Sequence, residues 1–243
     1  MSANKPKGLF ITGTDTGVGK TLVAASLSKV LTDRGVKVGV MKPAESGVAN
    51  PKALGPDAQL LKWASNSSLR DDEISPYRLS APLAPSVAAS EEKKRIDYNS
   101  LLEQAQTIIN NHDFTIIEGA GGLMVPLSGG FLMADLASNL KLPLLIVCRP
   151  TLGTVNHTLL TLFAAKNMEI PVAGYLLNNM PQEKSLAEEK AAHTLATLTS
   201  DELLAVLEEV YGDDQQKVTQ LAQQIIESRT LSLLARCLPD VFS

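Results

Sequence analysis

The sequence predicts a doubly wound α/β domain, a mainly parallel sheet with helices on both faces. Three observations predict it. Short apolar runs, such as Leu9–Ile11, Phe114–Ile117 and Leu142–Val147, alternate with segments whose apolar residues recur at helical spacing. The first run leads into Gly13-Thr14-Asp15-Thr16-Gly17-Val18-Gly19-Lys20-Thr21 and then a helical pattern through Val23, Leu27, Val30 and Leu31. Strand, glycine-rich turn, Gly-Lys-Thr and helix is the order that a phosphate-binding loop needs. Finally, the runs end in chemistry-bearing residues: the loop, Lys42, Glu118, the Thr151–Asn156 turn and Asn178. Ligands of such sheets collect beyond the carboxyl ends of the strands.

The loop makes the fold P-loop NTPase-like. Gly17 and Gly19 allow backbone N–H groups to turn towards phosphates, and the helix N-terminus adds positive partial charge. Lys20 is placed to reach the outer phosphates, and Thr21 to put a hydroxyl on Mg²⁺. The spacing is a variant one. The usual pattern is G-x-x-x-x-G-K-[ST], whereas here Thr14 stands at the first glycine's position and Gly13 comes one residue earlier.

The chain's 243 residues, 44% of them apolar, suit one domain with a substantial core, spanning residues 1–243. A net charge of −4 and 4% aromatics argue against a general nucleic-acid binder. Cys148 and Cys237 give no disulfide framework, and Cys148, inside an apolar run, reads as a buried thiol. The segment Met1–Lys7 lacks the apolar core of a signal peptide, and no apolar run has the length of a membrane span. The expectation is a cytoplasmic protein acting away from membranes.

Beyond the first helix, Val36–Met41 reads as a second strand that delivers Lys42-Pro43-Ala44-Glu45-Ser46-Gly47. Residues 48–56 read as loop, and Asp57 opens a short helix with Leu60, Leu61 and Ala64 on one face. Residues 66–82 look irregular, and Pro85 begins another short helix. Asp97 caps a helix running to Asn110 through Leu101, Leu102, Ala105, Ile108 and Ile109. Phe114–Ile117 is a buried strand ending in Glu118-Gly119-Ala120-Gly121-Gly122, and Leu142–Val147 is another. Thr151–Asn156 leads into a helix through Leu159, Leu160 and Phe163. Val172–Leu177 is a strand ending in Asn178-Asn179, followed by a helix over Leu186–Leu198. Leu203–Leu207 reads as a last strand, with helices over Asp214–Ile226 and Leu231–Cys237.

Lys42 has two readings: a solvated strand-end lysine, or a cation beside phosphates and a reacting anion. Its shared sheet edge and the adjacent Ser46-Gly47 favour the second. Glu118 follows four apolar residues, and a carboxylate so near a core needs a partner, for which a divalent metal or a nucleotide contact is favoured over a structural ion pair. The glycines at 119, 121 and 122 would let backbone approach a phosphate. Asp57 alone reads as a helix cap. His112, His157 and His193 have no ligand spacing, and no Ser-His-Asp arrangement is visible.

Taken together, these motifs resemble the dethiobiotin synthetase family over residues 8 to 180. The variant loop at 13–21 matches, odd spacing included. So do Lys42-Pro43 with Ser46-Gly47, Asp57-Ala58, Ala81-Pro82-Leu83-Ala84-Pro85, Glu118–Gly122 continuing to Pro126-Leu127, Leu152-Gly153 with Asn156-His157, and Asn178. The resemblance implies ATP-dependent carboxylation and ring closure of a small diamine, 7,8-diaminopelargonic acid, with CO₂. It implies that Thr21, Asp57 and Glu118 surround Mg²⁺, while Gly17, Val18, Gly19, Lys20, Gly119, Ala120, Gly121, Asn178 and Asn179 meet ATP, Asn178 at the adenine. Lys20 and Lys42 would be catalytic, with Thr16, Ser46 and the turn Gly153, Thr154, Val155 and Asn156 on the substrate. The family is dimeric, so a homodimer is implied, with that turn serving the substrate's distal carboxylate across the interface. Two segments depart from the family pattern: Ser86 stands where a His is common, and Glu208-Glu209-Val210 follows the last strand in place of a Pro-aromatic-Leu segment.

Two rival classes share features of this chain. Partitioning-type ATPases are similar in sheet and loop, but carry an extra lysine near the loop's start, where this chain has Asp15. Amidotransferase-type synthetases usually carry a further glutaminase domain with Cys and His, for which this chain is too short.

Overall fold

The computed structural model describes residues 6–242; residues 1–5, on which the leader expectation mostly rests, and Ser243 lie outside the described residues. Six parallel strands form the central sheet: β1 (Gly8–Gly13), β2 (Val38–Met41), β5 (Phe114–Gly122), β8 (Leu144–Cys148), β9 (Val172–Met180) and β10 (Leu203–Glu208), in the order β10-β9-β8-β1-β5-β2. The order reverses direction around β1. The crevice at the carboxyl end of β1 is therefore the place where a ligand can enter between strands. Two small ribbons complete the β structure: β3 (Ala44–Ser46) parallel to β4 (Tyr77–Leu79), and β6 (Pro126–Ser128) antiparallel to β7 (Phe131–Leu132).

Alternating side chains of the central strands feed two cores, as the two-residue period of a strand requires. Leu9 and Ile11 of β1 join Leu145 and Val147 under helices α1 (Lys20–Thr32), α2 (Pro56–Ala64), α9 (Asp214–Ile226) and α10 (Arg229–Cys237). Phe10, Leu144 and Ile146 face the opposite side, under α5 (Tyr98–Asn111), α6 (Met133–Leu140), α7 (Thr154–Asn167) and α8 (Leu186–Leu198). Helix starts follow the sequence chemistry. Asp97 accepts from Ser100 N at 3.1 Å at the start of α5, and Asp213 caps α9 through Gln216 N at 2.9 Å. None of the described helices is long and apolar enough to cross a membrane.

Two expectations need correction, and one further stretch carries elements that its sequence does not predict. Residues 66–82 are not wholly irregular, because they hold α3 (Asp71–Ile74) and β4, the latter formed by pairing with β3 more than thirty residues earlier in the chain. The chain between β5 and β8 is structured by β6, β7 and α6, elements of two to eight residues without a long periodic signature. Finally, β5 does not stop before its glycines but runs through them, so that Gly122 pairs with Gly13 of β1. Helix α4 (Pro85–Glu91) starts at its proline, where a missing N–H costs nothing.

Candidate active site

The phosphate loop joins β1 to α1. Gly17 and Gly19 adopt φ of 73° and 92°, the left-handed region that glycine enters without a side-chain clash. No side chain caps the N-terminus of α1. Its leading N–H groups therefore remain free for an anion. Gly19 is also required by packing, because a Cβ there would lie 2.1 Å from Asn178 Nδ2. Asn178, buried at the end of β9, donates to Val18 O at 2.9 Å and so ties the loop to the sheet. Lys20 is folded back onto its own loop, donating to Asp15 O at 2.9 Å. Burial pulls its ammonium down to about 8, against the opposing pull of Glu118.

Beside the loop lies a cluster of charges drawn from three segments. Lys42, at the end of β2, donates to Glu118 Oε1 at 2.5 Å and sits 2.7 Å from Asp57 Oδ2. Thr21 Oγ1 donates to the same Glu118 oxygen at 2.8 Å. Glu118 is fully buried within β5, and its second oxygen, Oε2, has no hydrogen-bond partner among the described residues. Burial drives the Glu118 carboxyl upward, and Lys42 opposes this. Burial alone would lower Lys42, but Glu118 and Asp57 outweigh it and hold the ammonium above the ordinary lysine range. Burial would raise Asp57, but Lys42 prevails and keeps its carboxyl low.

These groups open on one cavity of about 740 Å³. Thr16, Gly17, Gly19, Lys20 and Thr21 form its phosphate-loop wall; Ala120 and Gly121 form another. Lys42, Asp57 and Glu118 line its depth. Ser46, with a buried hydroxyl that has no partner among the described residues, lines the far side with the apolar segment Pro82–Pro85. The remaining candidates do not line this cavity. Val18, Gly119, Asn178 and Asn179 are outside the lining; Gly119 packs on Phe10, and Asn179 is exposed with φ of 64°. The Gly153–Asn156 turn begins α7 and does not line this cavity. Cys148 is fully buried, with its thiol pushed up to about 12 by burial, which suits a core residue.

Two residues at the site were not singled out from sequence. Arg149, at the end of β8, donates to Asp15 Oδ2 at 2.5 Å and to Thr16 O at 3.4 Å, bracing the phosphate loop from the neighbouring strand. Its position directly after an apolar strand was the available signal. Glu45 of β3 is buried and accepts from the backbone N–H groups of Asp57 and Ala58; its neighbours in sequence gave no sign of this.

A magnesium ion suits this donor set. One hydroxyl and two carboxylates are hard oxygen ligands, and Mg²⁺ commonly uses one or two carboxylates together with phosphate oxygens and water. The partnerless Glu118 Oε2 is the observation that speaks for it. Glu118→Ala is expected to raise the Mg²⁺ concentration needed for half-maximal turnover and to lower the maximal rate. A magnesium titration identical to that of the unmodified protein would assign Glu118 a purely structural role.

Glycine loop, uncapped helix and lysine–carboxylate cluster at the sheet's reversal point define a protein of the P-loop nucleotide-binding class. A family profile described as an AAA domain matches residues 7–217. The chain is 40% identical to the ATP-dependent dethiobiotin synthetase BioD of Bacillus velezensis over 82% of this chain and 85% of that one, and 36% identical to BioD of Bacillus subtilis strain 168 over 94% and 97%. This chain belongs to the ATP-dependent dethiobiotin synthetase family. In fold it is also similar to a ParA family ATPase from Chlorobium tepidum (TM-score 0.58, 12% identity, 94% and 99% covered) and to the septum site-determining protein MinD of Pyrococcus horikoshii (TM-score 0.55, 17% identity, 97% and 95% covered).

Proposed function

We propose that this protein is an ATP-dependent ligase that carboxylates and cyclises 7,8-diaminopelargonic acid to dethiobiotin. The supporting observation is that the phosphate loop and the Lys42–Asp57–Glu118 cluster share one cavity with Ser46 and the apolar Pro82–Pro85 wall. One amine adds to CO₂ and loses a proton, giving a carbamate. The carbamate oxygen attacks the γ-phosphorus and ADP leaves, forming a carbamic–phosphoric anhydride. The second amine attacks the carbamoyl carbon, phosphate departs, and the attacking nitrogen loses a proton as the cyclic urea closes.

The chain's residues meet the electrostatic demand of that sequence. A carbamate and a triphosphate repel each other, and Lys20 and Lys42 supply positive charge at the two ends of the transferring group. Uncapped N–H groups at the start of α1 hold the phosphates, and Ser46 offers a hydroxyl on the diamine side. Mg²⁺, held by Thr21, Asp57 and Glu118, supplies further charge neutralisation when bound. The apolar Pro82–Pro85 wall suits the aliphatic stem of the diamine.

The same reading includes a homodimer. Leu160 and Phe163 of α7 are 58% and 67% exposed and follow the Gly153–Asn156 turn on the same helix, so a second copy would cover apolar surface and bring that turn towards a neighbouring site. It also includes one domain over residues 1–243, action in the cytoplasm, and no nucleic-acid or membrane partner. The deciding experiment mixes protein, MgATP, bicarbonate and the diamine and looks for the cyclic urea by mass. ATP hydrolysis indifferent to diamine and bicarbonate, but stimulated by DNA or a protein partner, would favour a partitioning-type switch instead.

A further inference from the structure

The buried carboxylate of Glu45 has no place in the chemistry above, yet it lines the same cavity. It arrives on β3, three residues after Lys42, and reaches across to the first turn of α2. There Oε1 accepts from Asp57 N at 2.9 Å and Oε2 from Ala58 N at 3.3 Å. It thus serves from a distant segment as the anionic cap that α2 lacks locally, since the residue at the cap position is Gly55, which has no side chain to give. Gly55 is matched to this arrangement. A Cβ at that position would lie 2.2 Å from Glu45 Oε1 and 2.4 Å from its carboxyl carbon, so the carboxylate occupies the volume that any other residue would fill.

The consequence runs to Asp57. Its backbone N–H is held by Glu45 while its side chain sits 2.7 Å from Lys42 Nζ. We infer that Glu45 is a positioning residue: together with Gly55 it fixes the start of α2 so that the Asp57 carboxylate is presented to the cation site beside Glu118. This rests on the reading of Asp57 as a metal-side ligand, not on which substrate is carboxylated. Outer residues that orient metal ligands typically contribute about 10–100-fold to metal affinity.

The test uses the whole protein with ADP and Mn²⁺ as the metal probe, following bound Mn²⁺ by electron paramagnetic resonance. Glu45→Ala is expected to weaken Mn²⁺ binding about tenfold or more. Gly55→Ala, which displaces the carboxylate without removing it, is expected to do the same. In the double variant the new methyl group no longer meets a carboxylate, so the loss should equal that of Glu45→Ala alone. A merely structural role would leave Mn²⁺ affinity unchanged in the folded variants and lower only their thermal stability. Glu45→Gln, which keeps the shape and one acceptor, is expected to fold and to lose several-fold. Unmodified Mn²⁺ affinity in folded Glu45→Ala, or in Glu45→Gln should the alanine variant not fold, overturns the inference, and so does additivity in the double variant. Failure to form the cyclic urea would sink the proposed reaction but leave these binding outcomes readable.

Discussion

Lys20→Ala is expected to abolish turnover in a protein that remains folded. The side chain stands at the N-terminus of α1 and, among the described residues, is satisfied only by Asp15 O of its own loop. A triphosphate would exchange that neutral acceptor for a charged one, a contact strongest as charge shifts during transfer. Removing one preorganised charge contact costs about 10²–10³ in rate. Here the lysine is also buried, and its loss leaves the loop without its cation. The pH dependence gives a second readout. With the ammonium at about 8, Lys20 is charged below that pH and increasingly neutral above it. Bound phosphates favour the charged form, so ATP binding above pH 8 must take up a proton, and affinity should fall by up to about tenfold per pH unit. Calorimetry in buffers of different ionisation enthalpy measures that uptake. Lys20→Ala should lack it. Near-normal turnover in the variant, or affinity rising with pH in the unmodified protein, would remove ATP from this loop.

Lys42→Gln is expected to lower kcat by about 10²–10³ while ATP binding, followed by calorimetry, changes little. Lys42 neutralises two carboxylates at once and faces the cavity where the carbamate would form. A charge there acts most on the transition state. Its removal also leaves Asp57 and Glu118 facing each other without a cation, and breaking a buried pair in this way costs about 3–5 kcal/mol. Thermal unfolding is therefore part of the measurement, and added Mg²⁺ should recover stability more than rate. Arginine should rescue only in part, since its planar fork is larger than an ammonium and differently shaped. Selective loss of ATP binding, with carbamate formation intact, would place Lys42 on the phosphate side.

Much of this architecture is written locally. β1 and α1 follow from an apolar run, a glycine turn and a helical period, and α8 is bounded by its own pattern from Leu186 to Leu198. What escaped sequence reading depends on pairing across distance. Three-residue β3 and β4 become strands only because Ala44 lies beside Tyr77. Neither half has enough residues to show alternation. At the site, residue types and strand ends marked Lys42 and Glu118, because a charge directly after an apolar run is conspicuous. That Lys42 would bridge Glu118 and Asp57 was not legible, since it needs α2 folded against β2 and β5. The sequence gives no local sign of Glu45, whose partners are backbone N–H groups twelve and thirteen residues away.

The phosphate loop is held from two neighbouring strand ends: by Asn178 on Val18 O and by Arg149 on Thr16 O. Ordering a residue's backbone costs about 1–2 kcal/mol of conformational entropy. In this chain that cost is met during folding, not when nucleotide arrives. Nucleotide binding should therefore lose little chain entropy, and most of the affinity gained from charge-assisted contacts should survive in the net free energy. Asn178→Ala, which frees Val18 O, would transfer the ordering to the binding step, and the same contacts would then yield a weaker complex with a more unfavourable binding entropy.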